Sequence, residues 1–455
     1  MKETAKRSRN TVAWMAFFLL LASSCNSKEG EGGNAPFLRF EGPTNLSVSE
    51  EGTMQDYSVK SNGQWEVIRK SVQTWATANP ASGQNDGSFR LTVGENTSKD
   101  NRSLSFSFLL NGDELQDKIT VEQAGNPNAE NGNDDDEDEE GRPLYTVARI
   151  WNAGPHNAFT DLIEYNGKYY CAFREAGAHV PSNSDQDGKI RILVSTDGAV
   201  WETAALIART GYDLRDPKLS VTPLGRIMVS IHGSVYNNGQ YMSATEFVAF
   251  SEDNEATSFT DLQVITLNAS EGRGWLWRVT WNYKTGNGYG VTYTGGNVYL
   301  FTTTNGILYT LVTRLNVPAG SHNESTVEIL ENGQMRIIVR NESGNGYIGY
   351  SGQDFTDWTW FDLGIRLGGP DIMTLPNGET IIGTRSFREN RTYTSLYGLD
   401  RNYKAVHLLE FPSGGDTSYT GLLVVKNELW VSFYSSHEGK SSIYFAKVRY
   451  RQLFN

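Results

Sequence analysis

Six times between residues 160 and 436 a short apolar run breaks at a Gly or Asn turn and a second apolar run follows. The turns centre on Gly167, Gly225, Gly286, Gly333, Gly378 and Asn427, at intervals of 58, 61, 47, 45 and 49 residues. Each pair of runs reads as a β-hairpin. A lone hairpin cannot bury its apolar face, so recurrence at this interval calls for copies packed side by side around an axis. The expected fold is all-β: a six-bladed β-propeller, each hairpin being the innermost strand pair of a four-stranded blade. No long stretch shows helical periodicity, and 46 glycines with 11 Trp, 22 Tyr and 20 Phe suit tight turns and strands.

Equivalent positions of such an array converge. Seven residues after each turn stand Arg174, His232, Tyr293, Arg340, Arg385 and Tyr434. If the hairpin turns lie at the lower end, these positions lie at the upper end, with the longest loops. Three guanidiniums meeting there ask for an anionic partner that takes fork-shaped hydrogen bonds, such as a carboxylate. Counting back, Glu324 stands nine residues before Gly333, Asp216 nine before Gly225, and Tyr419 eight before Asn427. These share the height of the arginines. A Tyr beside a Glu can be deprotonated for attack, which a lone phenol with a pKa near ~10 resists.

The N-terminus reads as a processing segment, residues 1–25. Lys2, Lys6, Arg7 and Arg9 precede an apolar run from Val12 to Ala22, too short for a comfortable transmembrane span. Leu21-Ala22-Ser23-Ser24-Cys25 resembles a bacterial lipobox, which implies lipidation at Cys25 and an outer-membrane lipoprotein. Residues 26–35 form a polar tether. Cys171, in an apolar strand pattern, is the other cysteine, so no internal disulfide is expected once Cys25 is acylated. Residues 126–142 hold seven consecutive acids, Asp134 to Glu140, and read as an extended linker. It separates a small domain (36–125) from the propeller (143–455). The net charge of -13 leaves no basic excess for a nucleic-acid backbone. No cofactor is called for, and His156, His322 and His407 lack metal-ligand spacing.

The small domain reads as strands at Phe37–Phe40, Gln55–Ser61, Trp65–Arg69, Ser88–Val93, Leu104–Leu110 and Gln116–Glu122, packed as a β-sandwich. It resembles the BACON domain of Bacteroidetes in Trp65, in Trp75-Ala76-Thr77-Ala78-Asn79-Pro80, in Asn101-Arg102, and in the closing Ile119-Thr120-Val121-Glu122-Gln123. That resemblance implies a spacer or glycan-associated module on a surface-exposed lipoprotein. Core packing is the expected role of Trp65 and Trp75.

The large domain resembles the exo-α-sialidases. Ser195-Thr196-Asp197-Gly198-Ala199-Val200-Trp201 resembles their Asp-box, with degenerate copies at Ser251-Glu252-Asp253 and at Ser351 with Asp354 and Trp358. Phe173-Arg174, Glu324 with Arg340, Thr384-Arg385-Ser386 and Asp416-Thr417-Ser418-Tyr419 stand where the family has its arginines, its Glu and its Tyr. The resemblance implies that Arg174, Arg340 and Arg385 hold a sugar carboxylate and that Tyr419 attacks with Glu324 as its base. It also implies a proton-donating Asp, for which Asp187 is preferred over Asp185. Asp216, His232 and Tyr293 are the remaining substrate-binding candidates. Arg174 is followed by Glu175-Ala176 where the family has Ile-Pro, so Glu175 could tie that arginine up. The reading is a retaining exo-glycosidase on a terminal acidic sugar. The alternatives are a propeller glycosidase or lyase on another uronate, drawing on His179, His232 and His437, and a noncatalytic glycan-binding lipoprotein.

Overall fold

The computed structural model describes residues 35–71, 73, 75–96, 98–127 and 141–454. Cys25, the lipobox, most of the tether and the acidic run lie outside the described residues. Residues 37–455 form one compact unit. It is all-β: a small two-sheet sandwich followed by a six-bladed β-propeller.

In five blades four strands run from the axis outward in chain order, with Thr266–Asn268 added parallel to the outer edge of the third blade, ahead of its innermost strand in sequence. Their innermost strands are His156–Tyr165, Asp213–Val221, Trp275–Asn282, His322–Ile329 and Asp371–Thr374 for blades 1 to 5. Blade 6 takes Thr417–Val425, Glu428–Ser435 and Ser442–Val448 from the end of the chain. Its outermost strand is Tyr145–Trp151, from the start of the propeller, paired antiparallel to Ser442–Val448. The hairpin count alone does not reveal this closure, because Tyr145–Trp151 pairs across some 300 residues of sequence. Closing the ring removes two exposed sheet edges.

Asp-box turns tie the third and fourth strands of several blades. In blade 1 Asp197 Oδ1 accepts the Ala199 and Val200 N–H groups at 2.8 and 3.1 Å, and Ser195 Oγ accepts Gly198 N–H at 2.8 Å. Trp201 packs on Phe445 of blade 6, ring centroids 5.1 Å apart. Blade 3 has the same arrangement made by different residues. Asn305 Oδ1 accepts the Ile307 and Leu308 N–H groups at 2.9 Å, and Thr303 Oγ1 accepts Gly306 N–H. Thr and Asn have the oxygens the turn needs, so this copy has the geometry without the sequence pattern.

The inner strands are irregular near their upper ends, and this irregularity builds the site. Two residues of the inner strand oppose one of its partner, a slip of one residue, at Phe159-Thr160, Asp216-Pro217, Trp277-Arg278, Asn323-Glu324 and Tyr419-Thr420. Phe159, Asp216 and Tyr419 take positive φ values of 64, 49 and 53°. A bulge of this kind re-aims a side chain that would otherwise alternate along the strand. Blade 5 begins its pairing only at Asp371, with Gly369 just before it at φ 58°.

Sandwich strands fall where the apolar alternation predicts: Leu38–Glu41, Thr53–Ser61, Gln64–Arg69, Gly87–Val93, Arg102–Leu110 and Asp113–Gln123. Three more, Asn45–Val48, Ala76–Asn79 and Ser82–Gln84, are too short to show alternation. Trp65 is core, 1% exposed, while Trp75 is half-buried under the Arg102 guanidinium at 4.5 Å. The sandwich docks on the lower end of the propeller. Arg69 N–H donates to Pro223 O at 3.2 Å and Lys70 Nζ to Lys284 O at 3.2 Å. Gln73, Trp75 and Arg102 help line an axial cavity of about 660 Å³ beneath the inner strands.

Candidate active site

Tyr419 sits at the centre of the upper end. Its hydroxyl donates to Glu324 Oε1 at 2.5 Å. Glu324 Oε2 accepts Arg340 Nη1–H at 2.7 Å and the Gly369 amide at 2.6 Å. Three donors from three blades thus fix one carboxylate. Burial pushes the Tyr419 phenol well above its ordinary pKa; Glu324 and Asp216 push the same way, while Arg340 and Arg385 pull it down. At rest the group is therefore a phenol, with the Glu324 carboxylate accepting its hydrogen bond. The ring is boxed in by Phe159 (centroids 4.9 Å), Trp277 (5.8 Å) and Tyr434 (6.1 Å), with Gly369 against its edge.

The expected arginine trio resolves into a pair and one apart. Arg340 reaches Glu324 and Glu342. Arg385 donates from Nε to Thr417 O at 2.8 Å and from Nη2 to the Tyr434 hydroxyl at 2.9 Å, and its guanidinium stands 5.7 Å from the Tyr419 ring. Arg174 is fully buried. Asp213 Oδ1 takes its Nε and Nη2 at 3.0 and 2.5 Å. Gly188 covers it so closely that a Cβ there would stand 2.5 Å from Arg174 Nε. Arg174 is therefore not free to hold a substrate carboxylate, and its neutralising partner is Asp213 rather than Glu175. Glu175 pairs instead with Arg191 and with the Trp151 indole. Asp213 also binds Arg215, whose Nη2 holds the His179 carbonyl at 3.0 Å.

The remaining candidates divide. Asp216 is buried, with Oδ1 lacking a hydrogen-bond partner, and burial raises its pKa to about 6 against the pull of Arg215 and Lys218. Its field reaches Tyr419, Tyr293 and Tyr434, which places it among the central groups. His232 stacks on Trp275 at 3.4 Å and bonds Glu246 through Nδ1, leaving Nε2 buried without a partner. Tyr293 stacks on the other part of this group, 5.6 Å from Trp275. Asp187 has Asp213 and Arg174 as its charged neighbours and makes no contact with Tyr419 or Glu324. Asp185 is exposed on the same loop. His437 lies against Tyr444 and Ser435. Arg278 turns toward the axis and takes Asp161 in a two-pronged bond at 2.9 and 3.0 Å, so it belongs to the floor.

One cluster joins residues far apart in sequence. His156 Nε2 lies 3.1 Å from Asp416 Oδ2 and 3.3 Å from His179 Nδ1. The ligating atoms of these three lie within 4.8 Å of one another, a set able to hold a metal ion where sequence spacing suggested none. The protonation pattern disfavours an ion. Arg174 Nη1 faces His156 Nδ1 at 3.4 Å, and a guanidinium only donates, so Nδ1 accepts and Nε2 carries the hydrogen toward Asp416. A metal on Nε2 would drive that hydrogen to Nδ1, against Arg174.

No protein-family model matches the sequence, and no curated protein matches it. Solved structures do resemble the fold. A protein of unknown function from Dyadobacter fermentans superposes with TM-score 0.55 at 17% identity, over 68% of this chain and all of that one. NanB in complex with Optactamide gives 0.51 at 10% identity over 86% of this chain and 95% of that one. Trypanosoma rangeli sialidase with the inhibitor DANA gives 0.51 at 11% identity over 67% of this chain, which spans 60% of that sialidase. The propeller is thus sialidase-like in fold.

Proposed function

We propose that this chain is a retaining glycoside hydrolase of sialidase type, acting on a terminal acidic sugar. The observation that carries the reading is the 2.5 Å bond from Tyr419 to Glu324, with Arg340 and Arg385 beside it. A nucleophile next to a bound sugar carboxylate is best uncharged until it attacks, because a second carboxylate would be repelled. Tyr419 meets that need. Arg340 and Arg385 hold the carboxylate through their remaining N–H groups, and Asp216 and the Trp275–Tyr293 stack contact the sugar. With Arg174 neutralised by Asp213, the carboxylate is held by two cations in place of three. That favours acidic sugars whose carboxylate is reached from the blade 4 and blade 5 side.

In the first step Tyr419 Oη bonds the anomeric carbon as its proton passes to Glu324 and the glycosidic C–O bond breaks. Water then releases the sugar with overall retention. The lyase reading draws less support: His232 is stacked and paired with Glu246, and His437 lies against Tyr444. We place the protein on the outer membrane through lipidated Cys25, with the sandwich as a BACON-like spacer. The test is Tyr419→Phe assayed on a panel of acidic glycosides by mass spectrometry. A wild type that releases an acidic sugar and a variant that does not support the reading; equal turnover by both would sink it.

A further inference from the structure

A departing sugar oxygen needs a proton. On the loop between Arg174 and Gly188, Asp187 has Asp213 and Arg174 as its charged neighbours, and Asp185 is exposed. Asp216 is placed differently. Phe159, Asp216 and Tyr419 are each the first of two bulged residues on the inner strands of blades 1, 2 and 6, and each is left-handed, with φ of 64, 49 and 53°. One backbone shape at one register gives the three side chains one aim. It brings the Phe159 and Tyr419 rings together at 4.9 Å, and it turns Asp216 toward the same centre from blade 2. The residues around Asp216 on its strand reach that centre. Lys218 Nζ stands 5.7 Å from the Tyr419 ring and 4.8 Å from Trp277, and the Arg215 guanidinium 5.9 Å from Phe159. Tyr419, Asp216 and Glu324 come from blades 6, 2 and 4, so they alternate around the axis.

The Asp216 carboxyl is buried, and its Oδ1 has no hydrogen-bond partner among the described residues. The flanking cations do not satisfy it. Arg215 gives Nε and Nη2 to Asp213 and the His179 carbonyl, and Lys218 Nζ reaches Thr160 O at 3.4 Å. A buried carboxyl left unbonded costs stability, so its retention beside Tyr419 points to a partner that arrives with the substrate. We infer that Asp216 gives the leaving oxygen its proton and later takes one from the incoming water; this rests on the glycosidase reading above.

Burial raises the Asp216 pKa to about 6; Arg215, Lys218 and His232 oppose this, and Glu324 adds to it. Asp216 in turn acts on the phenols of Tyr419, Tyr293 and Tyr434. The two carboxyls therefore divide the work: Glu324 is the ionised one and holds the Tyr419 hydroxyl, while the protonated form of Asp216 is the donor. In the first step the glycosidic C–O bond breaks and its oxygen takes the Asp216 proton. Tyr419 Oη bonds the anomeric carbon, and the phenol proton passes to Glu324. The negative charge thus moves from Glu324 to Asp216, beside Arg215 and Lys218. Each transfer assists the other, because neutralising Glu324 removes a charge that held the proton on Asp216. In the second step water gives a proton to Asp216 as its oxygen bonds the anomeric carbon. The bond from Tyr419 to that carbon breaks, and Glu324 returns the proton to Tyr419. No redox partner is needed.

The test uses two substrates with the same acidic sugar. One is an aryl glycoside whose leaving group departs without help; the other is a saccharide that needs protonation. Asp216→Asn is expected to lose about 10²-fold or more in kcat/KM on the saccharide and less than about tenfold on the aryl glycoside. Wild-type kcat/KM on the saccharide should fall as pH rises through about 6, where the donor loses its proton, and this limb should vanish in the variant. Asp216→Ala opens room for azide, which attacks the anomeric carbon without a base. Azide should raise aryl-glycoside turnover by Asp216→Ala and give the glycosyl azide, a gain that an unfolded variant cannot show. Equal loss on both substrates by Asp216→Asn overturns the assignment alone and leaves Asp216 a sugar contact. So does a selective saccharide loss in Asp187→Asn but not in Asp216→Asn, or the absence of glycosyl azide. A wild type inert on both substrates overturns the glycosidase reading and this assignment with it.

Discussion

Replacing Gly369 by Ala separates the packing around Tyr419 from the stability of the fold. Gly369 holds φ at 58°, and an added Cβ would stand 2.6 Å from Tyr419 Cγ and 2.8 Å from both Cδ atoms. Ordinary contact begins near 3.4 Å, so the ring must retreat by about 0.8 Å. It has little room: Phe159 and Trp277 pack against it, and its hydroxyl is tied to Glu324. A misplacement of about 1 Å at a reacting group costs on the order of 10²-fold in rate, or about 2.7 kcal/mol of barrier. The left-handed conformation separately costs Ala about 1–2 kcal/mol of stability. Gly378→Ala is the control. It also has positive φ, at 85°, but its Cβ would meet nothing within 4 Å. Both variants should unfold a few degrees below wild type in calorimetry. Only Gly369→Ala should lose turnover, measured as kcat on an acidic glycoside. Wild-type kcat in Gly369→Ala, or a like loss in Gly378→Ala, would refute the claim that Tyr419 must sit where it does.

Arg385→Lys keeps the charge but loses the fork that reaches Thr417 O and Tyr434, so kcat/KM on an acidic sugar should fall about 10- to 100-fold, with a smaller effect on any neutral analogue. Asp213→Ala leaves Arg174 charged and unpaired at zero exposure and should destabilise the protein by about 3–5 kcal/mol in urea titrations; a milder loss would mean Arg174 finds another partner. Asp216 makes stability depend on pH. Its folded pKa, raised from 3.8 to about 6, means that ionising it in place weakens the fold as pH rises through that window. Asp216→Asn should therefore gain on wild type between about pH 4 and 6, by up to about 3 kcal/mol, in chemical denaturation at a series of pH values.

The blade count and the strand pairs of the propeller are written in spacing, because each hairpin is local and five of the six turns hold Gly at positive φ, the sixth having Lys426 there. The ring of bulged residues was partly legible for the same reason. The offset that finds Asp216, Glu324 and Tyr419 also falls on Phe159, Trp277 and Gly369, which look like core or turn residues because they are apolar or bare. Two features have no local signal. Arg174 meets Asp213 across a blade boundary, 39 residues on, so the loss of the third arginine depends on how blades 1 and 2 abut. His156 meets Asp416 across 260 residues, only because blade 6 closes on blade 1. The closing strand Tyr145–Trp151 is hidden for that reason too. The blade 3 Asp-box at Thr303 and Asn305 was obscured by chemistry rather than distance, since different side chains supply the same oxygens.

The most direct test of the account is covalent trapping. An acidic sugar with fluorine beside the anomeric carbon and a good leaving group slows release of the glycosyl-enzyme more than its formation. After incubation with wild type, peptide mapping by mass spectrometry should find the sugar's mass on the peptide that holds Tyr419, and Tyr419→Phe should remain unlabelled. Label on Glu324 or another side chain, or turnover of acidic glycosides with no labelled tyrosine, would contradict the claim that Tyr419 is the nucleophile.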